Sequence, residues 1–275
     1  MFRLLYIEFH KLKHNKASKI LSIIYFILLT SIALIAVIKF DIGPIKFHLA
    51  EQGIFNFPYI WHFNTYIAAI FKFFLLLVIV SMMANEYSYK TLKQNLIDGL
   101  SKKEFILSKF YTVVVFSLIS TLFVFVVSLI LGLIYSDFNE VSIIFSDLTY
   151  LFAFFIKLLG FFSFGLFLGI LIKRSAFAVG AMLVWSMIEG FAKGMFYWKF
   201  KDNVDELMRI FPLEAMSNLI KEPFTRLSAV KTVAKQVGED LSKDFSVQIL
   251  DIAIVLFWTA IFIYLSYVLL KRRDL

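Results

Sequence analysis

The sequence predicts an all-α membrane protein, one domain over residues 1–275 with six transmembrane helices, and three observations predict it. Six hydrophobic runs recur along the chain: Ile20–Ile38, Tyr66–Ala84, Phe110–Tyr135, Leu148–Ile172, Ser175–Tyr197 and Ile252–Leu270. Each is about 19 to 26 residues long, and a helix needs roughly 20 apolar residues to cross a bilayer. The first, third and sixth runs contain no charge. The composition agrees, being 60% hydrophobic with a mean hydropathy of +0.82. A barrel would show short alternating strands, which are absent. In hydrocarbon every backbone amide must be paired inside the structure, so each run is read as an α-helix. Pro44, Pro58, Pro212 and Pro223 all fall outside the runs, where a lost backbone donor costs least.

The segment before the first run, residues 1–19, carries Phe2, Leu5, Phe9 and Leu12 at helical spacing, with Arg3, Lys11, Lys13 and Lys16 among the polar positions. That pattern predicts a helix lying in the membrane interface, its lysines beside anionic lipid head groups. The first run is longer than the core of a signal peptide and no A-x-A cleavage pattern follows, so it reads as a retained helix. The loop at 85–104 places Leu92, Leu96 and Leu100 on one helical stripe, and Gly99 suits the helix end. Ser101 and Glu104 then have the spacing of a capping box that starts the third run. A plain connector needs only 2–8 residues. The extra length predicts a docking element.

The long loop at 198–247 carries two further stripes, Leu213, Met216, Leu219 and Ile220 between two prolines, and Val230, Val233, Val237 and Leu241. Two short amphipathic helices are expected there, as a lid and not a catalytic domain. Basic residues cluster before the first run, between the second and third (Lys90, Lys93, Lys102, Lys103, Lys109), at Lys173-Arg174 and at Lys271-Arg272-Arg273. Counted through six spans these regions share one side. Both termini of a multi-pass cell-membrane protein are then expected in the cytoplasm. The net charge of +8 is largely this bias and does not point to nucleic acid.

Cysteine is absent, which removes disulfides and cysteine-based metal sites. No G-x-x-x-x-G-K-[ST] loop occurs, so the chain is not expected to hydrolyse ATP by itself, nor to bind a cofactor or metal. All four histidines lie outside the runs. His10 and His14 are spaced i,i+4, but their lysine surroundings repel a cation. Gly165 and Gly169, and Gly190 and Gly194, have the small-xxx-small spacing of close helix packing within one chain or across a dimer. A sharper reading makes Gly190 and Gly194 a break in the fifth helix. Four charges interrupt the runs: Lys72, Lys157, Glu189 and Lys193. Intramembrane charges face the protein interior and mark function by default. Glu189 precedes Lys193 by four, the favourable order for a helical ion pair. Two readings stand: a mutually neutralised structural cluster with Lys72 snorkelling outward, or charges of an outer cavity with a net positive wall, suited to an anionic or zwitterionic substrate group.

This arrangement resembles a permease subunit of the ABC-2 type, the membrane half of an ATP-binding-cassette exporter. The resemblance covers nearly the whole chain and is carried by the N-terminal helix, the six runs and the loop from Glu86 through Thr91, Leu92, Leu96, Ile97 and Gly99 to Ser101, Lys102, Phe105 and Lys109. That loop is similar to the family's coupling helix, E-x-x-x-G-T followed by a hydrophobic pair and S-R-x-x-[FIL]-x-x-x-K. Lys90 stands where the family has Gly, and Lys102 where it has Arg. The resemblance implies a partner ABC ATPase that binds ATP and Mg, a second permease chain, and ATPase coupling through Glu86, Thr91, Leu92, Leu96 and Gly99. It also implies short re-entrant helices after the fifth span and export of a peptide, drug, lipid or similar substrate. Two other classes compete: a non-transporting membrane immunity or assembly protein, and an intramembrane enzyme. The second needs convergent catalytic residues, and the runs offer only Glu189 with lysines.

Overall fold

The computed structural model describes residues 2–32, 39–42, 45–48, 53–200, 204–226, 230 and 244–273. The chain starts with helix α1 (Phe2–His14) and helix α2 (Lys16–Thr30), separated by Asn15. Asn15 caps α2 by accepting the Ser18 backbone N–H at 3.0 Å. The N-terminal helix is therefore shorter than the 1–19 expected. Residues 33–38 of the first hydrophobic run lie outside the described residues.

An antiparallel ribbon follows, β1 (Lys39–Ile42) with β2 (Ile45–His48), which the hydrophobic periodicity did not announce. The second run forms two helices, α3 (Tyr59–Ile70) and α4 (Lys72–Ser88), bent by 47° at Phe71. Neither proline nor glycine lies at the bend, and nothing in the local sequence explains it. Helix α5 (Thr91–Ile97) is short and ends where Gly99 takes φ +94, a backbone that favours glycine. The Leu100 N–H closes the turn onto the Asn95 carbonyl at 3.0 Å.

The long helix α6 (Lys102–Tyr135) begins with the capping box at Ser101 and Glu104, both of whose reciprocal bonds form. Then come α7 (Val141–Ile144), α8 (Thr149–Ile172) and α9 (Ser175–Phe200). The short α10 (Val204–Met208) and α11 (Pro212–Asn218) lead to α12 (Ile249–Arg272). Four stretches are long and apolar enough to cross a membrane: α6, Val141–Ile172, α9 and α12. Counting the bent pair as one span makes up to five among the described residues.

Helix α8 is the axis of the bundle. It packs on α3, α4, α6, α9 and α12. The apolar window containing it is 78% buried, against 17% for α9 and 22% for α12. Its small residues explain the closeness. A Cβ at Gly165 would overlap Leu76, and one at Gly169 would come within 3.3 Å of Met83 and 3.5 Å of the Val80 carbonyl. On the opposite side the ring of Phe164 stacks on Phe262 at 4.5 Å.

The basic residues gather at one end. Arg273 donates to the carbonyls of Ile170 (2.6 Å) and Leu171 (3.1 Å) at the C-terminus of α8. Those carbonyls have no intrahelical partner, and a cation there also complements the helix dipole. The Lys102 ammonium donates to the carbonyls of Lys271 and Arg273. At the other end, side chains tie the loops down. Tyr59 donates to the Pro223 carbonyl at 2.6 Å, Trp258 to that of Ile210 at 2.7 Å and Trp61 to that of Ile144 at 2.9 Å. In the long loop, α11 is the first of the two expected amphipathic helices. Pro212 stands in its first turn, and Met216, Leu219 and Ile220 are buried. Val233, Val237 and Leu241 of the second stripe lie outside the described residues.

Candidate functional site

At the basic end, α1, α4, α5 and α6 converge on the carboxylate of Glu86, which is 2% exposed. One oxygen accepts from the ammonium groups of Lys109 (2.5 Å) and Lys11 (2.8 Å). The other accepts from the Thr91 hydroxyl (2.5 Å) and the Asn95 amide (3.2 Å). Lys109 is fully buried and bridges to Glu8 of α1, also at 2.5 Å, while its ammonium lies 5.0 Å over the Phe105 ring. Lys11 reaches Glu8 as well, at 3.6 Å. Two carboxylates and two ammonium groups thus form a closed, neutral network. Paired charges can be buried, whereas a single one would be left uncompensated. The network borders an open pocket of about 540 Å³.

The network positions α5. Thr91 stands at its first residue and Asn95 one turn later, so Glu86 holds the helix by two bonds on one face. Leu92, 2% exposed, and Leu96 pack into the core on the side facing the bundle. That changes the expected roles. Leu92 and Leu96 attach the helix and cannot serve as its contact surface. The free face carries Lys93, Gln94 and Ile97, preceded by Tyr89; Ile97 is 70% exposed and Tyr89 71%.

The second charged region lies at the opposite end. Glu189 accepts from Trp185 Nε1 (2.6 Å) and from the backbone N–H groups of Leu213 (3.2 Å) and Glu214 (2.8 Å). A buried carboxylate thereby satisfies the leading amides of α11. Lys193 bonds to Glu214 at 2.6 Å and approaches Asp205 at 3.8 Å. The expected Glu189–Lys193 pair does not form: Glu189 takes the Trp185 indole and the α11 amides, and Lys193 takes the carboxylates of Glu214 and Asp205. Helix α9 also runs unbroken through Gly190 and Gly194, so no break occurs there.

A family described as "Protein of unknown function (DUF2705)" has a model that matches residues 52–275. The chain belongs to this family. No curated protein matches it.

The four intramembrane charges of this DUF2705 chain do not form one cluster. A cavity of about 710 Å³ opens beside α11, and of the four only Lys193 lines it. Its wall carries Asp205, Glu206, Glu214, Glu222, Asp244 and Asp251 against Lys193, Arg209 and Lys221. The wall of this cavity is net negative. Asp251 is itself held by Arg209 at 2.5 Å. Lys157 is buried on α8 with Lys72 as its neighbouring charge, and the Lys72 ammonium lies 4.5 Å over the Phe161 ring. Gly190 and Gly194 have no atom within 4 Å of a built Cβ and line an open apolar groove with Met187, Phe191 and Trp198. No group of three or more metal-ligating side chains occurs among the described residues.

Sequence reading missed Glu8, Asn95, Trp185 and Glu214 as partners. For Glu8 a signal existed. It falls between Leu5 and Leu12 on the apolar stripe of α1, where an acid has no reason to be unless something pairs with it.

Proposed function

We propose that this chain is the permease subunit of an ATP-driven exporter of the ABC-2 type, acting in a cell membrane with separate ATPase subunits that bind ATP and magnesium. One observation carries the reading. Glu86, Thr91 and Lys109, three positions of the coupling motif, meet at a single carboxylate with bonds of 2.5 Å each. The motif then has a physical reason. It fixes a short helix between two membrane helices as a rigid part of the bundle, and it turns the other face of that helix outward.

In this reading α5 takes the push of the closing ATPase on Tyr89, Lys93 and Ile97. Glu86 and Lys109 pass the displacement to α1, α4 and α6 together, because all three are tied into one charge network. The first hydrophobic run is counted as a further span, which makes six, and the bent pair α3–α4 is the second. Both termini are cytoplasmic, in keeping with the lysine and arginine bias of that end. A second permease chain packs against α9, whose glycines leave room for close approach. The cargo is a peptide, drug, lipid or similar molecule.

The test compares ATP hydrolysis by the tagged chain purified alone and by the complex withdrawn gently from its own membranes. The chain alone has no phosphate-cradling loop and is expected to show none. The complex is expected to hydrolyse ATP, and Ile97→Asp to strip that activity from the purified material. Hydrolysis by the isolated chain, or a native complex without it, would overturn the proposal.

A further inference from the structure

A crevice of about 630 Å³ runs between α6 and α12 at the basic end, within the size range of sites that hold small molecules. Ile106, Leu107 and Phe110 form one wall, and Leu256, Ile263 and Tyr267 form the other. The two helices are antiparallel, so the wall from Tyr267 to Leu256 extends roughly 16 Å at 1.5 Å per residue. Polar groups inside are few. The Thr259 hydroxyl is already donated to the Val255 carbonyl at 2.8 Å.

The mouth is of opposite character. Lys103 lines it, and Lys102, Lys271, Arg272 and Arg273 stand around it. Among the described residues, Lys102 and Arg273 donate to neutral acceptors, namely backbone carbonyls and the Tyr87 hydroxyl. Lys103, Lys271 and Arg272 are exposed. Glu104 is the one acid near the rim among the described residues, and its carboxylate is taken by the Ser101 N–H (3.0 Å) and hydroxyl (2.8 Å). An apolar slot about 16 Å deep, with a rim rich in lysine and arginine among the described residues, is complementary to one kind of bilayer molecule.

We propose that this crevice holds one resident anionic phospholipid, an acyl chain between α6 and α12 and the phosphate at the Lys103 rim. The lipid would pin the start of α6 to the end of α12, the same two ends that Lys102 clasps. This inference does not rest on the transport reading, since it concerns a lipid of the surrounding bilayer and not a cargo.

The full chain is purified in mild detergent, supplied with phosphatidylglycerol or phosphatidylcholine, and examined by native mass spectrometry. One phosphatidylglycerol per chain is expected to survive, at least fivefold more abundantly than phosphatidylcholine. Lys103→Glu should remove that preference. Ala260→Phe, which fills the crevice from an exposed position, should lower retention of both lipids; if it fails to fold, Ala260→Val is read instead. Leu118→Phe, on an exposed apolar face elsewhere, should change nothing. Equal retention of the two lipids, a preference that survives Lys103→Glu, or retention untouched by filling the crevice would each overturn the proposal.

Discussion

Glu86 and Glu189 are both buried carboxylates at helix junctions, yet they are held in different ways. Glu86 is gripped by two ammonium groups, a hydroxyl and an amide from three other elements. Glu189 is held by neutral donors only, an indole one turn away and two backbone amides of α11. The difference teaches what each junction resists. Removing a charge from the first network strands its partners in a low-dielectric site. Neutralising the second to an amide strands no charge, but it turns one accepting oxygen into a donor.

The sharpest way to break the comparison is Lys109→Ala. It removes the buried cation between Glu8 and Glu86 and leaves them only the partly exposed Lys11, and a loss of roughly 3–5 kcal/mol is expected. Unfolding of the detergent-solubilised chain measures it. A loss below about 1 kcal/mol would mean that water compensates the pair, and the network would not be a unit. A companion cycle with Glu86→Gln should be strongly non-additive, by about 0.5–3 kcal/mol.

Glu189→Gln should cost less, about 1–2 kcal/mol, because the one amide oxygen keeps the Trp185 and Leu213 donors and only the Glu214 N–H loses its acceptor. Its cycle with Lys193→Met should couple more weakly than that of Glu86 and Lys109, by less than about 1 kcal/mol, since the two meet only through Glu214. Coupling as strong as that of Glu86 and Lys109 would restore the helical ion pair that the i,i+4 spacing alone suggests.

That contrast also marks how far the sequence could be read. The capping box at Ser101 and Glu104 and the turn at Gly99 were legible because each is completed within a few residues. Most of the long apolar helices were legible because span length is a property of one segment. The partners of Glu86 and Glu189 were not. Lys109 meets Glu8 across 101 positions, and Glu189 meets Glu214 across 25. Periodicity says which face of a helix is apolar but not which other helix it meets. Four spaced charges therefore looked like one cavity, whereas Lys157 has Lys72 as its neighbouring charge and Glu189 and Lys193 bond to α10, α11 and Trp185. The bend at Phe71 carries no local mark of the kind that glycine or proline supplies, whereas the sequence does place Gly43 and Pro44 between β1 and β2. For α5, amphipathicity correctly located Leu92 and Leu96 on one stripe but left open whether that stripe faced inward or toward a partner.

The smallest effect on stability is expected at Ile97. Its side chain is largely exposed, so Ile97→Asp should change the unfolding free energy by no more than about 0.5 kcal/mol. The same change should remove the partner ATPase, which would separate attachment of α5 from its use. A stability loss matching that of Lys109→Ala would place Ile97 in the core instead.

Site-specific photo-cross-linking in native membranes tests the coupling role of α5 most directly, with the photoreactive residue at Ile97 in one strain and at Leu92 in the other. The expected result is a cross-link from Ile97 to a protein carrying a phosphate-binding G-x-x-x-x-G-K-[ST] loop, identified by mass spectrometry, and only intramolecular products from Leu92. No ATP-binding partner at Ile97, or equal capture of one from both positions, would contradict it.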